Sequence, residues 1–429
     1  MKVFVLVYGS RGDVTPYLAL CIALQKAGHE VVLAGPEPFE SYVTGYGVKY
    51  APLDPGMLRN FDSKQMRDAV GKNLRGLAAA KALWESSVKA SQAIRPVLDA
   101  ALTAAEGSDV VVHHPFAFAG QHVAEKLGVP AVVGQLNPMF VPTSEIPNTA
   151  YHYRMLRRLP GPLNRATYPI FRRMLRSFAG KEVDNWRRAL GLPERRHRHD
   201  PLRRPDGGPA AVLTPISPHV LRPPRDYPSS VRTTGFWILP PTTDWTPPQE
   251  LVDFLDAGEP PVYVGFGSLV GSPERAGRIV LDAIRAAGVR AVVAAGRGGL
   301  RVVDPPEEVF TLDQAPHDWL LPRMAASVHH GGGTFISAVA AGRPQVICPF
   351  MVDQVFWGDR LRRLGVAPTP IPQRKLAVDR LADAIRRAAT DPEMARRASE
   401  LGERVRAEDG ATDAVRVVES VRREHELQS

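Results

Sequence analysis

The sequence predicts an α/β protein built from two Rossmann-like domains, each a parallel sheet covered by helices, that face each other across a cleft. Three observations support this prediction. Short β-branched runs alternate with helical patterns in both halves of the chain, which is typical of βαβ units. The 429 residues are more than one hydrophobic core usually organises. A proline-rich stretch separates the two alternating halves.

The N-terminal domain is predicted to span residues 1–238. Its pattern predicts strands over 3–7, 30–33, 110–113, 129–133, 211–213 and 231–239, and helices over 16–27 and 120–127. Two further helical stretches, 78–102 and 151–190, interrupt the alternation, and the second belongs to a basic insertion at about 151–204. Because parallel sheets bind ligands at the carboxyl ends of their strands, residues just after these strands are candidate site residues.

The stretch 239–250 is predicted to be a linker, and 251–410 a C-terminal domain. In this domain the pattern predicts strands over 262–265, 291–294, 327–328 and 345–349, and helices over 276–287, 318–324, 335–341 and from residues 353, 377 and 393 onward. Residues 411–429 are predicted to form a final helix that can pack back on the N-terminal domain.

Composition excludes several classes of protein. Hydrophobic residues make up 44% and charged residues 23% of the chain, as in ordinary globular proteins, and no apolar run approaches the ~18 residues of a membrane span. The N-terminal apolar run is too short for a secretory signal, so we expect a cytoplasmic protein. Cys21 and Cys348 belong to no Cys/His cluster, so neither a disulfide framework nor a zinc site is expected.

The net charge of +9 is concentrated in one segment. Between Arg154 and Arg204 there are 15 Lys and Arg against four Asp and Glu, a net charge of +11, so the rest of the chain carries −2. This distribution does not indicate a nucleic-acid-binding protein. Four apolar residues recur at helical spacing between arginines in this segment: Phe171, Met174, Leu175 and Phe178. We expect this stripe to pack against the fold or to line a pocket, and the alternative is transient contact with a membrane or a carrier protein.

Three glycine-rich stretches follow predicted strands and precede predicted helices: Gly9–Asp13, Gly265–Ser268 and His329–Thr334. Glycine lets an anion approach the backbone, and a helix N-terminus adds partial positive charge, so such turns suit phosphate groups. The third stretch adds a histidine and a threonine, a set that suits a diphosphate. The chain contains neither a P-loop motif nor a complete GxGxxG, which argues against a P-loop NTPase and a dinucleotide dehydrogenase.

Asp353 and Gln354 follow another predicted strand. A carboxylate beside a carboxamide can bind adjacent hydroxyls of a sugar, although Asp353 could instead be a helix N-cap. The chain has no Asp-x-Asp motif, so a metal-chelating site for a nucleotide sugar is not supported, and no metal or other cofactor is expected.

Together these motifs resemble the family-1 glycosyltransferases of the GT-B fold, in particular bacterial enzymes of the sterol-glucosyltransferase branch and the antibiotic-tailoring transferases of the vancomycin group. The resemblance rests on segments that occur in the family's order over nearly the whole chain: Tyr8–Val14, Ala27–Val31, Val262–Ser268, Ala315–Leu320, His329–Gly332 and Pro349–Gly358. It implies an inverting, metal-independent O-glycosyltransferase. The C-terminal domain would bind a UDP- or dTDP-sugar, and the N-terminal domain would bind a lipophilic or aromatic natural-product or sterol-like acceptor.

The resemblance also implies roles for particular residues. Those expected at the donor are Gly267, Ser268, Arg297, Ala315, His317, His330, Gly331, Gly332, Gly333, Thr334, Asp353 and Gln354. Among these, the turn from Ala315 to His317 would lie under the nucleotide base. Those expected at the acceptor are Arg11, Phe116, Phe118, Met139 and Phe140, because aromatic side chains favour an apolar aglycone.

Two residues are candidates for catalysis. The resemblance makes Asp13 the general base, and its position after a strand would let it take the proton of an acceptor hydroxyl. Asp13 could also be the N-cap of a helix that begins near Val14. His114, after another strand, is the second candidate base or orienting residue, or alternatively makes a structural hydrogen bond.

The sequence departs from the family's usual pattern in three places. The third glycine turn is one residue shorter than usual and is followed by the bulky Phe335, Arg297 stands where relatives often carry tryptophan, and Phe116 and Phe118 place two aromatic side chains at the mouth of the expected acceptor site. Two other functions stay open. A sugar-nucleotide epimerase or NAD-linked enzyme also uses paired Rossmann domains, and the shortened turn is compatible with a degenerate transferase homologue that only stabilises a partner.

Overall fold

The computed structural model of the chain describes residues 1–61, 93–151, 156, 158–241, 245–267, 273–295, 299–350 and 353–428. Ser268 and Arg297, together with most of the predicted helix over 78–102, lie outside these residues.

In the described part of the N-terminal domain, seven strands form one sheet: β1 (Lys2–Leu6), β2 (Glu30–Pro36), β3 (Lys49–Leu53), β4 (Val110–His113), β5 (Ala131–Gly134), β6 (Ala211–Thr214) and β7 (Val231–Thr233). Their order is β3-β2-β1-β4-β5-β6-β7, and every neighbouring pair is parallel.

In the C-terminal domain, five strands form a second sheet: β8 (Val262–Gly265), β9 (Ala291–Ala294), β10 (Val309–Leu312), β11 (Ala326–His329) and β12 (Gln345–Ile347). Their order is β10-β9-β8-β11-β12, again all parallel. The predicted fold class, two parallel-sheet α/β domains, is confirmed.

The helices of the described N-terminal domain are α1 (Arg11–Lys26), α2 (Glu40–Thr44), α3 (Gly56–Phe61), α4 (Ile94–Ala104), α5 (Gly120–Leu127) and α6 (Gly161–Ala189). Those that follow are α7 (Gln249–Asp256), α8 (Pro273–Ala287), α9 (His317–Leu320), α10 (Thr334–Ala340), α11 (Gln354–Arg363), α12 (Val378–Thr390), α13 (Pro392–Arg406) and α14 (Gly410–Glu426). None of the helices in the described residues is long and apolar enough to cross a bilayer.

Alternating side chains of β1 explain why the sheet is covered on both faces. Val3 and Val5 pack in a core layer with α1 and α14, whereas Phe4 and Leu6 pack in the opposite layer with α4 and α6. A strand that is apolar on both faces is stable only between two helical layers, which is the arrangement expected for parallel sheets.

Several predicted boundaries differ from the structure. Strands β3 and β10 were not predicted, because these edge strands are only partly buried and have no clear apolar alternation. The strand predicted over 231–239 ends at Thr233, and the left-handed Gly235 follows it. Helix α1 begins at Arg11 and contains Pro16 in its interior, whereas the prediction started the helix at that proline.

The insertion helix α6 does not bury the whole predicted stripe. Phe171 is buried and Phe178 partly buried, but Met174 points outward with 52% of its surface exposed. Leu163 and Ile170, at 51% and 60% exposed, lie on the same outer track of the helix as Met174. The apolar residues therefore form two tracks, one facing the fold and one facing solvent, because residues 163, 170 and 174 each precede an inward residue by one position, which is about 100° around the helix.

Contacts at several places join the two domains. Helix α14 leaves the C-terminal domain and places Ala414, Val415 and Val418 in the N-terminal core beside α1. A hydrophobic cluster also spans the domains, with Phe236 at 5.9 Å from Phe335 (ring centroids). These contacts hold the two sheets so that the carboxyl ends of their strands face the same cleft.

Candidate active site

The three predicted glycine-rich turns meet in the cleft. Gly12, after β1, lies against Gly333, after β11: a Cβ atom on Gly333 would be 3.2 Å from the Cα of Gly12. The imidazole of His330, in the third turn, lies against the second turn: a Cβ on Gly332 would be 2.4 Å from its Nε2, and one on Gly267 would be 3.6 Å from its Cε1. Glycine at position 332 is therefore what admits this ring.

The two consecutive histidines of the third turn have different surroundings. His329 is fully buried; its Nδ1 accepts a hydrogen bond from the N–H of Gly331 (3.1 Å), which leaves Nε2–H to donate to Oε1 of Gln345 (3.1 Å). His330 is half-buried, its Nδ1 has no partner among the described residues, and burial lowers its pKa to about 4. His329 thus holds the turn, while a neutral His330 remains available to a ligand.

Phe335, the bulky residue after Thr334, points away from the turn. It is 4% exposed and stacks on Trp357 with ring centroids 4.7 Å apart. Helix α10 begins at Thr334, which stays half-buried beside the exposed Gly333. The departure from the family's pattern is therefore accommodated in the core and leaves the turn open.

Asp13 lies at the third position of α1 and forms a capping box. Its Oδ2 accepts hydrogen bonds from the backbone N–H (2.7 Å) and the hydroxyl (3.0 Å) of Ser10, the N-cap residue. Gly9 allows this approach, since a Cβ there would be 2.4 Å from Oδ2. Oδ1 has no hydrogen bond with the described residues, so the carboxylate caps the helix with one oxygen and keeps the other free.

His114 is buried beside this carboxylate, at the carboxyl end of β4. Its ring lies 5.8 Å from Tyr17 and 5.3 Å from Phe116 (ring centroids), and its Nδ1 has no partner within the described residues. Burial lowers the pKa of His114, while the negative charge of Asp13 opposes this shift. A neutral imidazole with a bare nitrogen can accept a hydrogen bond.

Asp353 brings a second carboxylate to the cleft from the C-terminal domain. It occupies the N-cap position of α11, but its side chain does not cap the helix. Burial, and next the charge of Asp13, raise the pKa of Asp353 to about 7, while the indole of Trp357 opposes the shift. That indole also donates across the cleft to Oδ1 of Asn137 (2.9 Å). The charge of Asp13 in the N-terminal domain therefore acts on Asp353 in the C-terminal domain.

Gln354, predicted at the donor sugar, begins α11 beside Asp353. It is 4% exposed, and its Oε1 accepts the backbone N–H of Phe350 (2.7 Å). The carboxamide oxygen therefore stabilises the turn after β12.

Arg11, predicted among the acceptor residues, lies where the two domains meet. Its Nη1 donates to Oε1 of Gln314 in the C-terminal domain (2.7 Å), and its guanidinium lies 4.3 Å from the centre of the Tyr42 ring. Gln314 precedes the turn predicted to hold the nucleotide base. In that turn Nε2 of His317 lies 3.2 Å from the hydroxyl of Tyr263, and burial lowers the pKa of His317 to about 4.

The predicted acceptor residues of the N-terminal domain divide into two groups. Phe116, Met139 and Phe140 cluster with Phe171 of α6, and Phe116 and Phe140 meet edge to face at 5.2 Å. Phe118 instead packs at 6.1 Å from another aromatic ring of α6, that of Phe178, within a different core layer. Phe116, Met139 and Phe140 therefore build the apolar wall beside His114.

Sequence reasoning did not assign a role to several residues that organise the cleft: Asn137, Tyr263, Gln314, Gln345 and Trp357. The sequence signals that could have identified them are their positions in or next to predicted strands, or inside the segment 349–358. Among the described residues no cluster of three or more His, Cys, Asp and Glu could hold a metal ion.

Two parallel-sheet α/β domains that face one cleft are the arrangement expected of the GT-B fold. Two families match the chain: residues 3–144 match the glycosyltransferase family 28 N-terminal domain, and residues 278–421 match the erythromycin biosynthesis protein CIII-like C-terminal domain.

Relatives of known function match nearly the whole chain. It is 37% identical over 437 residues to the O-mycaminosyltylonolide 6-deoxyallosyltransferase of Streptomyces fradiae, covering 98% of this chain and 97% of that enzyme. It is 36% identical over 438 residues to the sterol 3-beta-glucosyltransferase of Emericella nidulans, covering 97% of this chain but 30% of the fungal protein. The chain belongs to the family-1 glycosyltransferases.

Solved structures agree on the fold. The glycosyltransferase VinC in complex with dTDP superposes with a TM-score of 0.67 at 19% identity, covering 99% of this chain and 100% of that one. The glycosyltransferase of kitacinnamycin gives a TM-score of 0.67 at 20% identity and covers 98% of each chain.

Proposed function

We propose that this chain is an inverting, metal-independent O-glycosyltransferase that moves a sugar from a UDP- or dTDP-sugar to a lipophilic natural-product or sterol-like acceptor. One observation carries the proposal: the loop of Asp13 lies against the glycine turn of the opposite domain, since a Cβ on Gly333 would be 3.2 Å from the Cα of Gly12, and Oδ1 of Asp13 has no hydrogen bond with the described residues. An acceptor hydroxyl and a donor sugar in this cleft would therefore meet beside a free carboxylate oxygen.

In this reaction Asp13 takes the proton of the acceptor hydroxyl through Oδ1. The hydroxyl oxygen forms a bond to the anomeric carbon as the bond from that carbon to the diphosphate oxygen breaks, and the nucleoside diphosphate leaves with the electron pair. Attack on the face opposite the leaving group inverts the anomeric centre. His114 orients the hydroxyl through its bare Nδ1, and the glycine turn with His330 holds the leaving diphosphate.

The names of the relatives support the substrate classes. The Streptomyces fradiae enzyme is named for a 6-deoxyallosyl transfer to a macrolide, the fungal relatives for glucosyl transfer to sterols, and VinC binds dTDP. The aromatic wall of Phe116, Phe140 and Phe171 suits either apolar ring system.

The rival functions have less support. An epimerase or NAD-linked enzyme accounts for paired Rossmann domains but not for relatives named as transferases. A degenerate auxiliary homologue is disfavoured because Phe335 is buried and Asp13 retains a free oxygen.

Nucleotide binding tests the proposal. UDP or dTDP at about 100 times its dissociation constant should raise the melting temperature by about 3 °C, whereas GDP and NAD should not. His330→Ala should weaken that diphosphate about 10- to 100-fold in calorimetry, because it removes a hydrogen bond to a charged group. Since His330 is neutral above its pKa of about 4, this loss should be equal at pH 6 and pH 8.

The control for this experiment is His197→Ala, an exposed histidine of the insertion. Stabilisation by NAD alone would favour the dehydrogenase-like alternative. Absence of any nucleotide effect would favour the auxiliary homologue, and an unchanged affinity in His330→Ala would remove that residue from the site.

We further propose that the outer track of α6 contacts an anionic membrane surface. Leu163, Ile170 and Met174 are exposed along it. Arg173, three residues after Ile170, and Lys181, seven residues after Met174, lie along the same side and are exposed with no ion-pair partner among the described residues. Apolar side chains flanked by unpaired cations complement a negatively charged lipid surface.

Vesicle co-sedimentation tests this contact. The protein should bind phosphatidylcholine vesicles only when phosphatidylserine is included, and salt should weaken binding because exposed charges are screened. Arg173→Glu with Lys181→Glu should abolish binding, while Arg275→Glu with Arg278→Glu, exposed on the C-terminal domain, should not. Absence of binding at low salt would leave α6 with a role in the N-terminal fold alone.

A further inference from the structure

Arg11 belongs to the N-terminal domain but reaches into the C-terminal one. It is the first residue of α1, its Nη1 donates to Oε1 of Gln314 at 2.7 Å, and its positive charge contributes to the lowered pKa of His317. The adjacent Gly12 lies against Gly333 of the diphosphate turn. Arg11 therefore begins where the turn His329–Thr334 meets the loop Gly9–Asp13, and its guanidinium reaches toward the turn after Gln314 that is predicted to hold the base.

The partners of Arg11 leave its charge uncompensated. Among the described residues it has no ion pair, only the neutral carboxamide of Gln314 and the ring face of Tyr42, at 4.3 Å from the guanidinium carbon. A cation–π contact holds a guanidinium in place without neutralising it. The hydrogen bond to a neutral carboxamide is also weaker than one to an anion, so an incoming anion can replace Gln314.

The chemistry of the cleft requires such a cation. A departing nucleoside diphosphate gains negative charge close to Asp13 and Asp353. The described histidines beside it, His317 and His330, both have pKa values lowered to about 4 by burial and are neutral near pH 7. Among the described residues of these turns, Arg11 is positively charged near pH 7, unlike these two histidines. Its guanidinium can bind two phosphate oxygens at once.

We propose that Arg11 is a donor-binding residue, whose guanidinium exchanges Gln314 for the diphosphate of the nucleotide sugar and stabilises it as the leaving group. This inference rests on the proposed function. It also gives the N-terminal domain a direct contact with the donor, so that donor binding and closure of the cleft support each other.

Calorimetry with dTDP and UDP, and with thymidine and uridine, tests the proposal. Arg11→Met should weaken the diphosphates about 10- to 100-fold, the loss expected for a hydrogen-bonded charge pair, and should leave the nucleosides unchanged. Arg11→Lys should recover part of the loss, because it restores the charge without the planar fork. Gln314→Ala should leave diphosphate affinity equal or stronger, since Gln314 only occupies Arg11 in the absence of donor.

The matched control is Arg290→Met, which removes an arginine that also lies over an aromatic ring, Phe254 at 4.2 Å, but at the amino end of β9. Raising the salt concentration should weaken dTDP binding less in Arg11→Met than in the wild type, as expected when one phosphate-binding charge is lost.

Three results would overturn the inference. Equal weakening of thymidine and dTDP would make Arg11 a support for the base turn. Unchanged dTDP affinity in Arg11→Met would make it a contact between domains only, while the proposed function would stand. Failure of the wild type to bind any nucleoside diphosphate would overturn the proposed function and this inference with it.

Discussion

Asp13→Asn is expected to lower the turnover number by about 100-fold or more while leaving donor affinity nearly unchanged. An amide cannot take the proton of the acceptor hydroxyl, and positioned general bases typically contribute 10²- to 10⁴-fold. The fold should survive, because an asparagine oxygen can still accept the hydrogen bonds from Ser10 that cap α1. Steady-state kinetics with a UDP- or dTDP-sugar, together with calorimetry of the diphosphate, measures both quantities.

Asp391→Asn is the matched control for this prediction. Asp391 also caps a helix through its carboxylate, accepting from the N–H groups of Glu393 and Met394, but it lies away from the cleft at the start of α13. It should retain full turnover. If Asp13→Asn retains activity and His114→Ala abolishes it, His114 is the general base and Asp13 is a capping residue.

Asp353→Asn is expected to stabilise the protein above pH 7 while reducing turnover. The pKa of Asp353 is about 7 in the folded state, above the value near 4 of an unfolded aspartate, so the folded state binds the proton more tightly. The stability that this proton provides is present at low pH and is lost as the pH rises through 7. Replacing the carboxylate by a neutral amide should therefore raise the free energy of unfolding at pH 8, by on the order of 2–4 kcal/mol.

Melting temperatures at pH 4.5 and pH 8 test this prediction. The difference between Asp353→Asn and the wild type should be small at pH 4.5 and large at pH 8, and Asp13→Asn should reduce it, because the charge of Asp13 is a secondary cause of the raised pKa. Asp383→Asn, an exposed aspartate of α12, should show no such pH dependence. Equal destabilisation by Asp353→Asn at both pH values would contradict the prediction.

The sequence by itself determined the two parallel sheets and the order of their central strands along the chain. Strands such as β4 and β8 are buried on both faces and are therefore continuous apolar runs. Residues directly after such strands must lie at one edge of a parallel sheet, so the cleft positions of Asp13, His114 and Asp353 followed from local pattern alone.

The tertiary structure decided what individual side chains face. The Oε1 of Gln354 accepts the backbone N–H of Phe350, and Phe335 stacks on Trp357 within the hydrophobic cluster that the two domains share. Arg11 contacts Gln314, 303 positions away, only because the domains dock in this orientation. Periodicity specifies which face of an element is apolar, but the partner across a domain interface depends on distances that arise only when both sheets are folded and docked.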